Sequence, residues 1–347
     1  MAPTYLYPAW ISSTLNVFQL TINLISLPLV VILLYVLVRD RTYTGSFFSI
    51  YKIGLTYDLI SLIVIPIIGS LATRGHLLPE SFMETQLYLI IYNFFNYAMH
   101  FCQSITNTLI CINRAAAVLV PKSYDKLWNT RFLLPCCFIG QFGAGCLAGA
   151  SSLRFEMYLL KYDSGGGRFP MVVVSPEIQR FFTQIFVKDV VLCLNMIGIY
   201  SVVVWKFRST MTGGTPGGSL LCIAVVVVAW EAIVCIFYWN LFVGELDFDR
   251  DFRMQYVVYY CLVTFYSGVP TYLLLVFYKP IRLHAIEAVL NIFEIQRKSS
   301  TTSVGSDAKV ARARSPLIDD LSMYEDSICI ILLNCMENLI LNYWLDR

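Results

Sequence analysis

Hydrophobic positions gather into seven long runs, and the polar residues mark the breaks between them. The runs cover residues 15–38, 47–71, 87–114, 132–151, 182–205, 220–243 and 256–278. Each reaches or exceeds the ~20 residues an α-helix needs to cross ~30 Å of hydrocarbon. Parts of the first and sixth are apolar on every side, as lipid requires of a helix that satisfies its own backbone. The pattern predicts an all-α membrane protein, a bundle of seven transmembrane helices over residues 1–285 with a tail over 286–347. After Lys279-Pro280, Ile286, Val289, Leu290 and Phe293 recur at helical spacing, which predicts a short amphipathic helix on the inner membrane surface. Beyond it the polar run 299–303 opens a largely disordered tail with a Ser/Thr cluster open to kinases. An apolar patch at 328–341 is too short and too broken for a span.

Composition strengthens this picture. The chain is 57% hydrophobic and 14% charged, with a mean hydropathy of +0.65, and the seven runs hold only 6 of its 48 charged residues. A net charge of +2 gives no reason to expect a nucleic-acid partner. Nine of the 11 cysteines lie inside apolar runs, and without a CxxC pair or a His/Cys cluster they read as small apolar residues, with no metal and no cofactor implied. The glycine runs 165–167 and 213–218 read as loops, since neither carries the spacing of a phosphate cradle. Residues 1–9 contain no Lys or Arg, while Arg39 and Arg41 follow the first run directly. That order places the N-terminus outside and, after seven crossings, the C-terminus in the cytosol.

Ionisable groups at membrane depth are candidates for function: Lys52, Asp58, Arg114, Lys188, Asp189 and Glu231, joined by His100. The third run is the most informative. Asn93, Asn96, His100, Gln103, Asn107 and Arg114 follow spacings of 3, 4, 3, 4 and 7, so all six fall within a sector of roughly 80° on a helix. A stripe of this kind faces protein or water, either as glue between helices or as the lining of a cavity. By depth, Glu231 and Lys188 both come near mid-membrane and are expected as neighbours, unless Lys188 turns outward beside Asp189. Asp58 is expected to face the third helix or a buried water network, with a protonated, hydrogen-bonded acid as the plainer alternative.

Asn113-Arg114-Ala115-Ala116-Ala117-Val118, followed by Pro121, Tyr124 and Trp128, resembles the nematode serpentine chemoreceptors of the class gamma superfamily, either class gamma itself or the closely similar class V. The resemblance extends over about residues 10–285 and includes the Tyr278-Lys279-Pro280 exit from the last run. It implies a G-protein-coupled chemosensory receptor of the plasma membrane, or of a sensory cilium, without enzymatic activity. An external small molecule would bind near Asn96, His100, Gln103, Lys188 and Glu231. Arg114, backed by Asp58, would be the conformational switch. Pro121, Tyr124, Trp128, Arg131, Lys206 and Arg208 would serve coupling to a heterotrimeric G protein. The usual disulfide at the outer end of the third helix of rhodopsin-like receptors is not expected, and Pro270-Thr271-Tyr272 departs from their seventh-helix motif. A transporter or channel using the polar stripe as its pathway is the alternative reading.

Overall fold

The computed structural model describes residues 9–71, 79–83, 85–128, 133–154, 157–161, 168–172, 176–210, 226–236 and 248–301. The loops at 162–167 and 211–225, Arg131, the 302–347 segment and the 328–341 patch lie outside these residues. The chain divides into two compact units, Met1–Ala288 and Val289–Arg347. The first is a helical bundle.

Each expected span corresponds to a helix: α1 (Ala9–Arg39), α2 (Ser46–Ile63), α4 (Gln86–Leu119), α6 (Leu133–Ser152), α7 (Pro176–Thr210), α8 (Val226–Ile236) and α9 (Phe248–Phe277). Among the described residues, five of these (α1, α2, α6, α7 and α9) are long and apolar enough to cross a membrane by themselves. The third, α4, is long but carries the polar stripe, and α8 is described over eleven residues. Between them lie the short helices α3 (Glu80–Met83) and α5 (Pro121–Trp128). After the bundle helices, α10 (Lys279–Thr301) is longer than the amphipathic pattern suggested. Its Ile281 and Ala285 are buried while Lys279 and Glu287 are exposed, so one face belongs to the core. A small antiparallel hairpin, β1 (Met157–Lys161) with β2 (Arg168–Val172), stands between α6 and α7 and pairs Met157 with Val172 and Lys161 with Arg168.

The central position of α4 follows from small residues on its neighbour. A Cβ on Gly149 of α6 would stand 2.7 Å from the Phe94 carbonyl oxygen, and one on Gly145 would stand 2.9 Å from that of Ala98. Only glycine lets the two backbones approach this closely. Gln141 seals the seam by donating to the Cys102 carbonyl at 2.6 Å and to the Thr106 hydroxyl. On the other side of the bundle, Ser26 of α1 meets the Tyr272 hydroxyl of α9 at 2.6 Å, and the Tyr51 hydroxyl of α2 donates to the Pro270 carbonyl at 2.6 Å.

The C-terminal end of α2 loosens into a π-helical segment, Val64–Leu71, that contains Pro66. Proline has no backbone N–H to donate and breaks the regular ladder there. The Tyr88 hydroxyl donates to the Ile68 carbonyl at 2.8 Å and so supplies a partner to that stretch of backbone.

The connection between α1 and α2 is a tight turn in which Asp40 accepts from the Thr42 amide and hydroxyl at 2.9 and 2.7 Å. Those two bonds hold the Asp40 carboxyl below its ordinary range. His284 of α10 joins the turn, 3.1 Å from Asp40 and 2.8 Å from the Tyr43 hydroxyl. Burial pushes the Tyr43 phenol up to about 12, so it stays a neutral hydrogen-bonding group.

Candidate functional site

Asn93, Asn96, His100, Gln103 and Asn107 are all buried, at 8% exposure or less, so the stripe on α4 faces the interior. It forms layers of contact with different helices. Toward the N-terminal end of α4, Asn96 accepts from the Tyr259 hydroxyl of α9 at 2.8 Å. One turn deeper, His100 lies 3.1 Å from Asp189 of α7, whose other carboxylate oxygen is 2.5 Å from Lys188. The Lys188 ammonium also stands 4.0 Å from the centre of the Phe101 ring and 3.4 Å from the Ser104 hydroxyl.

Below these, Gln103 donates through one amide nitrogen to Asp58 of α2 and to Ser267 of α9, both at 2.8 Å. Asn107 donates to Glu231 of α8 at 3.0 Å and to the Tyr266 hydroxyl of α9 at 2.8 Å. The Tyr266 hydroxyl in turn donates to the same Glu231 oxygen at 2.5 Å. Between α2, α4 and α9, a cavity lined by Tyr51, Gly54, Asp58, Gln103, Asn107, Tyr266 and Pro270 leaves room for about one water. The expected set of Asn96, His100, Gln103, Lys188 and Glu231 therefore shares one interior without forming a single cluster.

Of the two placements expected for Lys188, the structure takes the second: Lys188 pairs with Asp189, and Glu231 is held by Asn107 and Tyr266. Lys188 sits one 100° step round α7 from the buried position that Asp189 takes, and depth estimated along a helix does not set that rotation.

Near the C-terminal end of α4, the Arg114 guanidinium carbon lies 3.4 Å from the centre of the Phe47 ring. Its buried Nε has no hydrogen-bond partner among the described residues. Tyr51, Tyr124, Tyr200 and Tyr278 surround it. Aromatic faces hold a guanidinium by cation–π attraction while leaving its donors unspent. Beside it, Asn113, Ser46 and Tyr124 close a triangle: Asn113 donates to Ser46 at 3.1 Å, Tyr124 donates to Asn113 at 3.1 Å, and the Ser46 and Tyr124 hydroxyls meet at 2.8 Å.

Pro121 opens α5 and is exposed, whereas Trp128, at its end, is 3% exposed and packs against Ile50, Ala116 and neighbouring apolar side chains. Lys206 is exposed on α7; the Arg208 side chain lies outside the described residues. Among the described residues no group of three or more His, Cys, Asp or Glu could hold a metal ion.

Sequence reasoning missed Tyr266, Ser267, Ser46 and Phe47 as members of these networks. Tyrosines, serines and phenylalanines are too common in apolar helices for any one of them to stand out. Asp189 carried a signal, as a charge at membrane depth, and its place beside Lys188 was one of the two expected arrangements.

A bundle of seven helices with a polar stripe buried on the third defines a multi-pass membrane protein of the seven-transmembrane receptor class. Residues 19–290 match the model of the serpentine type 7TM GPCR chemoreceptor Srv, and the chain belongs to that family. Of the two classes its sequence resembles, class V is thus the one it joins. No curated protein matches the chain closely.

Proposed function

We propose that this protein is a chemosensory receptor that turns the binding of an external small molecule into activation of a heterotrimeric G protein, and that it performs no catalysis. The N-terminus faces outward and α10 lies on the cytosolic side, in keeping with Arg39 and Arg41 directly after the first span. The observation that carries the reading is the network on α4, where buried amides tie α2, α8 and α9 to one helix through Gln103 and Asn107. A ligand that engages Asn96, His100, Gln103, Lys188 or Glu231 competes with bonds between helices, and so favours an arrangement in which those bonds are broken.

Arg114 then leaves its aromatic cage, and the inner face formed by Pro121, Tyr124, Arg131, Lys206 and Arg208 receives the G protein. Trp128 holds α5 in place from beneath that surface, and Asp58 couples the two ends through Gln103.

The test is guanine-nucleotide exchange in membranes expressing the chain, screened against chemical classes and compared with Arg114→Ala. Stimulated exchange should appear in the parent and be lost in the variant at equal expression. Stimulus-dependent ion flux without exchange would reject the proposal in favour of a channel.

A further inference from the structure

Residues 40–45 join α1 to α2, and several of their side chains are fastened. The Thr42 hydroxyl donates to Asp40, and Tyr43 is buried with its own hydroxyl on His284. Thr44 is different: it is exposed, and its hydroxyl has no partner among the described residues. Arg39 and Arg41, both exposed, stand five and three residues before it. Arginines at those two positions ahead of a hydroxyl match the charge pattern that the acidic substrate groove of a basophilic protein kinase reads. Thr42 meets a looser form of the pattern, but its hydroxyl is spent on Asp40 at 2.7 Å, where the carboxylate opposes a second anion.

The helix that follows offers an anion favourable surroundings. Gly45 is the N-cap of α2 and brings no side chain to its free N–H groups, and the first turn holds no acidic residue. Lys52 reaches back to donate to the Tyr43 carbonyl at 2.7 Å, so its ammonium stands one residue from Thr44. The two residues that open α2 are also those that meet the Arg114 region. Ser46 closes the triangle with Asn113 and Tyr124, and the Phe47 ring lies against the Arg114 guanidinium.

We propose that Thr44 is a phosphorylation site for a basophilic serine/threonine kinase, and that its phosphate keeps Arg114 against Phe47 by fixing the first turn of α2. This rests on the receptor reading above, which places the α1–α2 turn in the cytosol, and gives that receptor a means of being silenced. In the transfer, the Thr44 oxygen bonds the γ-phosphorus of ATP, the bond from that phosphorus to the β–γ bridging oxygen breaks, ADP leaves, and the hydroxyl proton goes to the catalytic base of the kinase. The product carries about two negative charges, with Lys52 and the positive end of a helix dipole beside it and Arg41 in the same turn. Asp40, the anion of that turn, is already occupied by Thr42 and His284.

The test uses the full-length receptor in lipid nanodiscs, where both faces meet the enzyme, with ATP and a kinase that requires arginine at the fifth and third positions before its target. Phosphate, mapped by mass spectrometry, is expected on Thr44, and Thr42→Val should leave it there. The double variant Arg39→Lys, Arg41→Lys should be modified roughly tenfold more slowly, because lysine keeps the positive charges that set orientation and loses the forked donors. Amide hydrogen exchange at the start of α2 should slow roughly threefold or more on phosphorylation, and basal guanine-nucleotide exchange should fall by a similar factor. Kinase treatment of Thr44→Val should change neither. No phosphate on Thr44, or an equal rate in the lysine variant, overturns the site. A modified Thr44 with hydrogen exchange and nucleotide exchange unchanged overturns its effect on Arg114. Modification in nanodiscs with none in intact cells that carry the active kinase overturns the cytosolic placement on which the proposal depends. Hydrogen exchange needs no G protein: if it slows while no form of the protein exchanges nucleotide, the site stands and the receptor reading falls.

Discussion

Tyr266→Phe removes one oxygen atom and tests whether the α4 network holds the inactive arrangement. That hydroxyl makes two bonds, accepting from Asn107 at 2.8 Å and donating to Glu231 at 2.5 Å. Asn107 and Glu231 keep their own 3.0 Å bond in the variant, so neither is left wholly without a partner. Hydrogen bonds between membrane helices average about 0.6 kcal/mol each, against about 1 kcal/mol in soluble proteins, so losing two is worth about 1 to 1.5 kcal/mol. If the bonds exist only in the inactive state, that energy shifts the equilibrium roughly five- to twelvefold toward the active one. Basal guanine-nucleotide exchange, normalised to surface expression, should rise by that factor while it is still far from saturation, and the melting temperature of the purified receptor should fall slightly. Glu231→Gln in the same background should add little, because the acceptor it alters has already lost its stronger donor. Unchanged or reduced basal exchange with a lower melting temperature would mean that the network serves folding and not switching.

Two further predictions concern the frame around the network. Gly149→Leu drives a side chain into the Phe94 carbonyl, a backbone atom that cannot move aside, and should destabilise the receptor by about 1 to 3 kcal/mol, read as a drop in thermal stability with retention inside the cell. Trp128→Ala empties a buried site between α2, α4 and α6 and should cost about 3 to 5 kcal/mol. Its loss of coupling should follow loss of folded protein, so that correction for folded receptor restores normal exchange per molecule. A coupling defect in fully folded Trp128→Ala receptor would instead place that ring in the contact with the G protein.

The spans were legible because lipid enforces a simple rule: a crossing helix must stay apolar for about 20 residues. The ends were less so. Helix α7 starts at Pro176, six residues before its apolar run, and α4 continues to Leu119, five residues past its own. Water imposes no such rule on a helix that projects beyond the membrane. The eight-residue α5 went unforeseen for the same reason, since Pro121–Trp128 has too few apolar positions to show a period, although its proline at the first helical position was in plain view.

Within the site, the stripe on α4 was readable from spacings of 3 and 4 because one helix fixes it. Its partners were not, because each depends on how a second helix is rotated about its own axis. Asp58 found Gln103 on the third helix as expected. Glu231 found Asn107 and Tyr266 in place of Lys188. A single 100° step on α7 separates Asp189, which enters the core, from Lys188, which is partly exposed beside it.

The chemistry of the network suits a switch better than a rivet. Among the described residues, the stripe from Asn96 to Asn107 makes six polar contacts with neighbouring helices: Asn96 to Tyr259, His100 to Asp189, Gln103 to Asp58 and Ser267, and Asn107 to Glu231 and Tyr266. At the in-membrane average they sum to about 4 kcal/mol. Carrying a two-state protein from 1:99 to 99:1 takes about 5.5 kcal/mol of differential binding, which lies within the reach of one small molecule. A core sealed by apolar packing alone would offer such a ligand nothing to exchange, because lipid and leucine are equivalent surroundings. Amides and hydroxyls give it bonds to take over one at a time. On the proposed reading, Arg114, held against the Phe47 ring with its Nε unbonded among the described residues, is the matching device at the other end of the network: it can leave that ring without breaking an ion pair.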